Sequence, residues 1–306
     1  MKSVRDRLVP HMQHYTFWLP DQPYVMYFQE PNESTEVSNT DRLGFRITDC
    51  GRATTSPGSA HDGEPVGLLA GSSSAYGVGA SANSATIASR LWAEHTPNLP
   101  WFNFAGQAFN SAQELTLLTL SLHELPPVRE IILYSGVNEL VLSRVPEKQQ
   151  GIHGAYFQCE PPSEDAVVPS ADERITIAAD RTASHLHGWQ VIAAGLRARL
   201  VFALQPLAPW VREVPAKQEQ RLFDELDKAS NFRGLHNDIA PMAIGRQYAA
   251  ALDKHCRSLG IEFVDTNQLL AERVKRIDWL FVDRVHMTDA GYDLAAQVLA
   301  AACDLS

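Results

Sequence analysis

Short apolar runs alternate with amphipathic stretches along residues 65–306. Five of these runs have the length and apolar character of buried strands, and they lie at 66–70, 101–105, 131–134, 200–204 and 261–265. Stretches with the helical spacing of apolar residues separate them, which is the pattern of a parallel sheet covered by helices on both faces. The sequence therefore predicts an α/β fold, a three-layer α/β/α sandwich around a five-stranded parallel sheet.

Helix boundary signals occur between the predicted strands. Residues 111–114 and 170–173 both have the spacing of a capping box, in which a hydroxyl and a carboxylate satisfy the first N–H groups of a helix. Further helices are expected over 84–94, 170–197, 217–228 and 239–258. Gly260 is a natural C-terminal cap for the last of these, and Thr288 or Asp289 is expected to cap a final helix.

Residues 1–64 differ from the rest, with many aromatic residues and prolines followed by a polar stretch. Short strands are expected there, with 42–48 as the best candidate, and 54–65 has the composition of a loop. We expect 1–64 to be an extension packed on the main domain, 65–306; a substrate-covering arm or a dimer contact is the alternative. The irregular piece at 144–169 is too long for an ordinary connection and is expected to be an insertion bordering the substrate pocket.

Composition narrows the possible partners. The chain has 306 residues, 45% of them hydrophobic, which is enough for one large core. Its formal net charge of −10, with no basic stretch, argues against a nucleic acid or an anionic membrane as partner. No apolar window approaches the length of a membrane span, and the first residues lack the apolar core of a signal peptide, so a cytoplasmic protein is expected. The four cysteines show no C-x-x-C pairing, so neither a zinc site nor a disulfide framework is indicated.

Glycines and polar residues follow four of the five predicted strands. They are the stretch 71–77 after the first, Gly106 after the second, Gly136 and Asn138 after the third, and Asp283 and His286 after the fifth. Each has an ordinary explanation as a turn glycine or a helix cap. Because the carboxyl ends of parallel strands meet at one edge of the sheet, their joint occurrence predicts a single site there.

The residue types at this edge favour nucleophilic catalysis. Asp283 and His286 are three positions apart, so in a loop or a single turn the carboxylate can orient the imidazole. A serine hydroxyl is a poor nucleophile at neutral pH and needs such a base within hydrogen-bond reach. The stretch 71–77 contains three consecutive serines that can supply the hydroxyl.

These motifs resemble those of the SGNH hydrolases, also called GDSL-type esterases and lipases, from about residue 65 to the C-terminus. The first block of that family, G-x-S-x-x-x-G, falls on 71–77 and implies Ser73 as the nucleophile of a triad with His286 and Asp283. The remaining blocks fall on Gly106 and on 136–139, and they imply an oxyanion hole made by the N–H groups of Ser73 and Gly106 and the side-chain amide of Asn138. Two positions depart from the family pattern: Ser72 and Glu139 both stand where aspartate is usual.

The resemblance implies a flavodoxin-like hydrolase domain over 65–306 that acts without a metal or a cofactor. The expected activity is that of a serine esterase, which removes a short-chain or acetyl group from a carbohydrate or small-molecule ester through an acyl-enzyme. An acyltransferase that passes the acyl group to an acceptor alcohol, and a binding module that retains only the fold, stay open as alternatives.

His185 and His187 are unsuited to a shared metal because alternate residues of a helix point apart. The acyl length and the oligomeric state are left open.

Overall fold

The computed structural model describes residues 3–15, 19–145, 169–229 and 236–305. The strands in these ranges are β1 (Asp21–Gln22), β2 (Met26–Tyr27), β3 (Thr48–Asp49), β4 (Thr54–Thr55), β5 (Val66–Gly71), β6 (Trp101–Ala105), β7 (Val128–Ser135), β8 (Arg199–Leu204) and β9 (Glu262–Asp265). The last five form one parallel sheet in the order β6-β5-β7-β8-β9. The predicted fold class and all five predicted strands are therefore confirmed.

Helices pack on both faces of this sheet. The α-helices of the described ranges are α1 (Val4–Leu8), α2 (Ser73–Tyr76), α3 (Ile87–Arg90), α4 (Ser111–Ser121), α5 (Val137–Leu142), α6 (Ala171–Leu196), α7 (Ala208–Val211), α8 (Lys217–Ala229), α9 (Met242–Leu259), α10 (Thr266–Arg273) and α11 (Asp289–Ala302). Adjacent strand residues point to opposite faces. Leu69, Ile132 and Val201 accordingly join a core with α3 and α11. Leu68, Ile131 and Phe202 join a second core with α4, α6 and α9.

Two of the predicted helices differ from the structure, one in its capping box and one in its continuity. The capping box at the start of α4 is formed by Asn110 and Gln113, one residue before the predicted pair, and Glu114 is turned into the interior instead. The segment predicted as one helix over 84–94 is divided into a 3-10 turn (Asn83–Ala85), α3 and a π turn (Leu91–His95). The capping box at Ser170 and the left-handed cap at Gly260 are confirmed.

The strand predicted at 42–48 is wrong over most of its length. The carboxylate of Asp41 accepts the N–H groups of Leu43 and Phe45 and folds this piece into a turn, so that pairing with β4 begins only at Thr48. β4 itself lies within the stretch expected to be a loop. Most of the proposed insertion, 146–168, lies outside the described residues, and the extent of the domains stays a prediction.

The N-terminal segment contacts the main sheet region at several points. The Tyr15 hydroxyl donates to the carbonyls of Gly77 and Ala80, and Arg46 is buried beside them.

Cys50, Cys256 and Cys303 are free thiols. In the part of the chain that the structure describes, no helix combines the length and the apolar character needed to cross a membrane.

Candidate active site

The Asp283-to-His286 segment is a tight turn in the connection between α10 and α11. The N–H of Val282 donates to the His286 carbonyl over 2.9 Å and closes the turn. The N–H groups of Val285 and His286 both donate to Oδ1 of Asp283, each over 2.8 Å. The aspartate thus shapes the turn with one oxygen and leaves the other oxygen free for the imidazole.

That second oxygen, Oδ2, lies 2.8 Å from Nδ1 of His286. Burial alone raises the pKa of Asp283, but the adjacent imidazole and the two backbone donors outweigh it and lower the pKa from 3.8 to about 2. An ionised carboxylate can only accept hydrogen bonds, so Nδ1 of His286 carries a proton. In the neutral imidazole Nε2 is then a hydrogen-bond acceptor, which is the form a general base requires.

Ser73 is placed opposite that nitrogen by the turn between β5 and α2. Gly71 ends the strand with a φ of +146°, and a Cβ there would lie 2.2 Å from the carbonyl oxygen of Tyr134, so only glycine fits. Ser73 is the first residue of α2, and its Oγ lies 2.9 Å from Nε2 of His286. The structure therefore joins Ser73, His286 and Asp283 in one hydrogen-bonded chain, although Ser73 and His286 are 213 positions apart.

Two of the expected oxyanion donors have an N–H group with no acceptor among the described residues. The N–H of Ser73 has no intrahelical acceptor, because the first N–H groups of a helix have none. The side chain of Asn138, in the first turn of α5, donates one N–H to the Phe109 carbonyl over 2.8 Å. That bond fixes the orientation of the amide and leaves its second N–H for a ligand.

Gly106, the third expected donor, is already engaged. Its N–H donates to the carbonyl of Gly71 over 3.1 Å, in continuation of the pairing between β5 and β6. A Cβ at Gly106 would lie 2.4 Å from the ring of Phe109, so glycine allows this loop to approach the strand. The role of Gly106 in an oxyanion hole stays a prediction.

The loop that follows Gly106 is held by the N-terminal hairpin of β1 and β2. The Tyr27 hydroxyl donates to the carbonyl of Ala108 over 3.0 Å, and Ala108 has a left-handed φ of 59°. A non-glycine residue in that region is strained and is retained only where its surroundings determine it. The side chain of Gln113 adds a bond of 2.9 Å to the carbonyl of Val25. The N-terminal segment thus supports the loop whose Phe109 carbonyl orients Asn138.

Arg46 supports the C-terminal end of α2, the short helix that begins with Ser73. The guanidinium of Arg46, fully buried, donates to the carbonyls of Tyr76 and Gly77 at the end of α2, over 3.2 and 2.9 Å. Further bonds of 2.6 and 3.0 Å reach the carbonyl of Val37 and Oδ1 of Asn83. Sequence reasoning missed this role because nothing in the local pattern marks an arginine for burial.

Two buried glutamates lie in the first turns of α4 and α5. Burial raises the pKa of Glu114 from 4.5 to about 8, against the effect of the Ser135 hydroxyl, which donates to it over 2.6 Å. Glu139 accepts the N–H and the hydroxyl of Ser111 over 2.8 and 2.6 Å, and Arg181 donates to its other oxygen over 3.3 Å. Glu139 thereby connects the start of α4 to the first turn of α5, close to Asn138.

A further polar residue at the carboxyl edge of the sheet was missed by the sequence reasoning. Gln205 directly follows β8, and its amide bonds to Ser72 and Ser74, the two neighbours of Ser73. Its position immediately after a buried strand is the same signal that marked the other strand ends. Within the described ranges, no group of three or more His, Cys, Asp or Glu side chains is arranged to hold a metal ion.

Comparison with solved structures found chains that are similar to this one. No family model and no curated protein matches the chain. Est24, a carbohydrate acetylesterase from Sinorhizobium meliloti, is 12% identical with a TM-score of 0.49 over 79% of this chain and 99% of its own. An extracellular lipase from Streptomyces rimosus is 16% identical with a TM-score of 0.47 over 78% of this chain and 98% of its own. A GDSL-family lipolytic protein from Veillonella parvula is 13% identical with a TM-score of 0.46 over 78% and 97%.

The chain is similar to these solved esterases and lipolytic proteins. At identities of 12 to 16% and TM-scores below 0.5, this similarity carries no argument about the activity. The chemistry of the site has to be argued from its own side chains.

Proposed function

We propose that this protein is a serine ester hydrolase of the SGNH type. The observation that carries the proposal is the unbroken hydrogen-bonded chain from Asp283 through His286 to Ser73, with distances of 2.8 and 2.9 Å. A serine hydroxyl at the N-terminus of a helix, bonded to an imidazole that a carboxylate orients, is the arrangement that acyl-transfer catalysis requires.

In the first half of the reaction, Oγ of Ser73 attacks the acyl carbonyl carbon while its proton moves to Nε2 of His286. The resulting tetrahedral intermediate collapses when His286 returns that proton to the oxygen of the leaving alcohol, and an acyl-enzyme remains on Ser73. In the second half, a water molecule attacks the acyl-enzyme while its proton moves to His286. The second tetrahedral intermediate then releases the acid as His286 returns that proton to Oγ of Ser73. Asp283 stays ionised throughout and stabilises the imidazolium that forms in both halves.

The negative charge that develops on the carbonyl oxygen needs donors that are in place before the reaction. The N–H of Ser73 and the second N–H of Asn138 have no competing acceptor among the described residues. We propose Gly106 as a third donor, which would share its N–H between the Gly71 carbonyl and the oxyanion. A shared donor is weaker than a free one, so Asn138 should contribute more than Gly106.

For the substrate we propose a short-chain or acetyl ester of a carbohydrate or small molecule, as the resemblance to GDSL-type esterases implies. The test is hydrolysis of p-nitrophenyl esters from acetate to palmitate, with acetylated sugars alongside. Ser73→Ala should abolish hydrolysis, whereas Ser184→Ala, a matched change at an exposed helix serine, should not alter it. Transfer of the acyl group to added alcohols in preference to water would instead establish the acyltransferase alternative.

Labelling separates a catalytic site from a retained fold. A fluorophosphonate reacts with an activated serine, so mass spectrometry of the labelled and digested protein should find the adduct on Ser73. His286→Ala should prevent the labelling because the base is lost. A folded wild-type protein that neither hydrolyses any ester of the panel nor labels at Ser73 would refute the proposed function.

A further inference from the structure

Gln205 lies at the carboxyl edge of the sheet, one residue beyond β8, with its side chain wholly excluded from solvent. The hydroxyl of Ser72 donates to its Oε1 over 3.0 Å, and its Nε2 donates to Oγ of Ser74 over 3.2 Å. Both serines are buried as well. One amide therefore binds the residues on either side of Ser73.

The hydrogen bonds continue from Ser74 to the loop that contains the imidazole. The Ser74 hydroxyl donates to the carbonyl of Val285 over 3.4 Å, and the N–H of Val285 donates to Oδ1 of Asp283 over 2.8 Å. With the amide in this orientation, the Ser74 hydroxyl accepts from Gln205 and its own proton is left for the Val285 carbonyl. This series of hydrogen bonds is thus a second connection between the nucleophile turn and the turn of Asp283, in addition to the bond from Ser73 to His286.

The backbone of Gln205 is held as firmly as its side chain. Its N–H donates to the carbonyl of Ser135 at the end of β7 over 3.0 Å. Its own carbonyl accepts Nδ2 of Asn267 over 3.3 Å. Since β7 leads through Gly136 into α5, Gln205 is anchored to the strand that precedes Asn138, an expected oxyanion donor.

We propose that Gln205 is a positioning residue for Ser73, an inference that rests on the proposed esterase function. By binding Ser72 and Ser74 at once, it sets the rotation of the nucleophile turn relative to the Asp283 turn, so that Oγ meets Nε2 at hydrogen-bond distance. Ser72 suits this role where the GDSL-type pattern has aspartate, because a hydroxyl can donate to the amide oxygen and an ionised carboxylate cannot.

The first test replaces Gln205 with methionine, which has a similar shape but forms no comparable hydrogen bonds. Misplacement of a nucleophile by a fraction of an ångström lowers turnover, and we expect kcat for p-nitrophenyl acetate to fall about tenfold to hundredfold, with KM changed less than about twofold. The rate of fluorophosphonate labelling at Ser73 should fall in parallel. Gln29→Met is the matched control, because the amide atoms of this buried glutamine have no hydrogen-bond partner among the described residues.

Two further variants distinguish positioning from a general loss of structure. Gln205→Glu keeps the acceptor for Ser72 and should retain more kcat than Gln205→Met if the Ser72 contact matters. Ser74→Ala interrupts the chain toward Val285 without altering residue 205, and combining it with Gln205→Met should cost little beyond the larger single effect. Circular dichroism and the thermal midpoint establish that each variant is folded.

The outcomes separate this inference from the function on which it rests. If wild type hydrolyses esters and labels at Ser73 while folded Gln205→Met and Ser74→Ala keep kcat within about twofold, the positioning role is refuted and the esterase stands. A fall in kcat of the same size for Gln29→Met would likewise refute the positioning role. The loss would then follow from replacing a buried glutamine and not from losing the hydrogen bonds to Ser72 and Ser74. If wild type does neither, both proposals fail together.

Discussion

Asp283 and His286 share a hydrogen bond of 2.8 Å in surroundings where each residue is only 4% exposed. The bond decides which nitrogen of the imidazole faces Ser73, because the ionised carboxylate accepts the proton of Nδ1. The same carboxylate closes the turn through the N–H groups of Val285 and His286. One side chain therefore builds the local backbone and sets the state of the base.

Asp283→Asn should separate these two roles. The amide oxygen of asparagine can still accept the backbone N–H groups, so the protein should fold, but the side-chain amide favours the opposite tautomer of His286. A loss in kcat of about 10⁴ is expected for such a change in a serine-histidine-aspartate site. Kinetics and a thermal melt of the variant measure the two effects, and a fully folded variant with near-normal kcat would exclude the proposed role of Asp283.

The low pKa of Asp283 also predicts a contribution to stability. Its folded value of about 2 lies below the ordinary 3.8, so the folded state favours the ionised form. The stabilisation is complete above the unfolded value and is lost as the pH falls through about 2. Denaturant unfolding of wild type and Asp283→Asn between pH 2 and pH 6 should therefore show a difference that shrinks toward the acid end; a constant difference would contradict the assignment.

Ser73→Ala and His286→Ala should each remove nearly all ester hydrolysis, and the double variant should lose little more than either. The reason is that the hydroxyl and its base act as one unit, so that the second substitution finds nothing left to disrupt. Steady-state kinetics of the three variants test this. Multiplicative losses in the double variant would mean that the two residues contribute independently.

Tyr27→Phe tests whether the N-terminal hairpin supports the oxyanion loop. Removing the hydroxyl takes the hydrogen bond from the carbonyl of Ala108, a residue in a strained conformation, and loosens the segment that orients Asn138 through Phe109. Loss of one such bond is worth about 1 kcal/mol, and we expect kcat to fall about fivefold with KM nearly constant. An unchanged kcat would restrict the hairpin to a packing role; Tyr24→Phe, at an exposed residue of the same hairpin, is the control.

Glu114 predicts a pH dependence of opposite sign to that of Asp283. Its folded pKa of about 8 lies above the ordinary 4.5, so the folded state holds a proton that the unfolded chain releases. Between pH 4.5 and about pH 8, the free energy of unfolding of wild type should therefore decline as the pH rises, relative to that of Glu114→Gln. The decline should be up to about 1.4 kcal/mol per pH unit. Urea unfolding from pH 5 to pH 9 measures this, and parallel curves for the two proteins would contradict it. Glu64→Gln, at an exposed position, should follow wild type.

Much of the fold was predictable because its signals are local. Buried parallel strands are continuous apolar runs, and the positions of β5 to β9 follow from them. Boundary details were less accurate where neighbouring residues compete for one role. Asn110 and Ser111 can both cap a helix, and the structure uses Asn110 because the Ser111 hydroxyl is bound to Glu139. That choice depends on a contact between α4 and α5 and not on the sequence near residue 111.

The sequence by itself singled out Ser73, Asn138, Asp283 and His286 as candidates, because Ser73 and Asn138 lie in short motifs directly after strands and Asp283 and His286 form a short motif before the last helix. Only the tertiary structure decided how they are supported. Gln205 and Arg46 are single polar residues without a motif, and their hydrogen bonds lead to segments far away in the chain. A buried polar group is stable only when its partners are in place, and those partners are brought together only by the folded sheet.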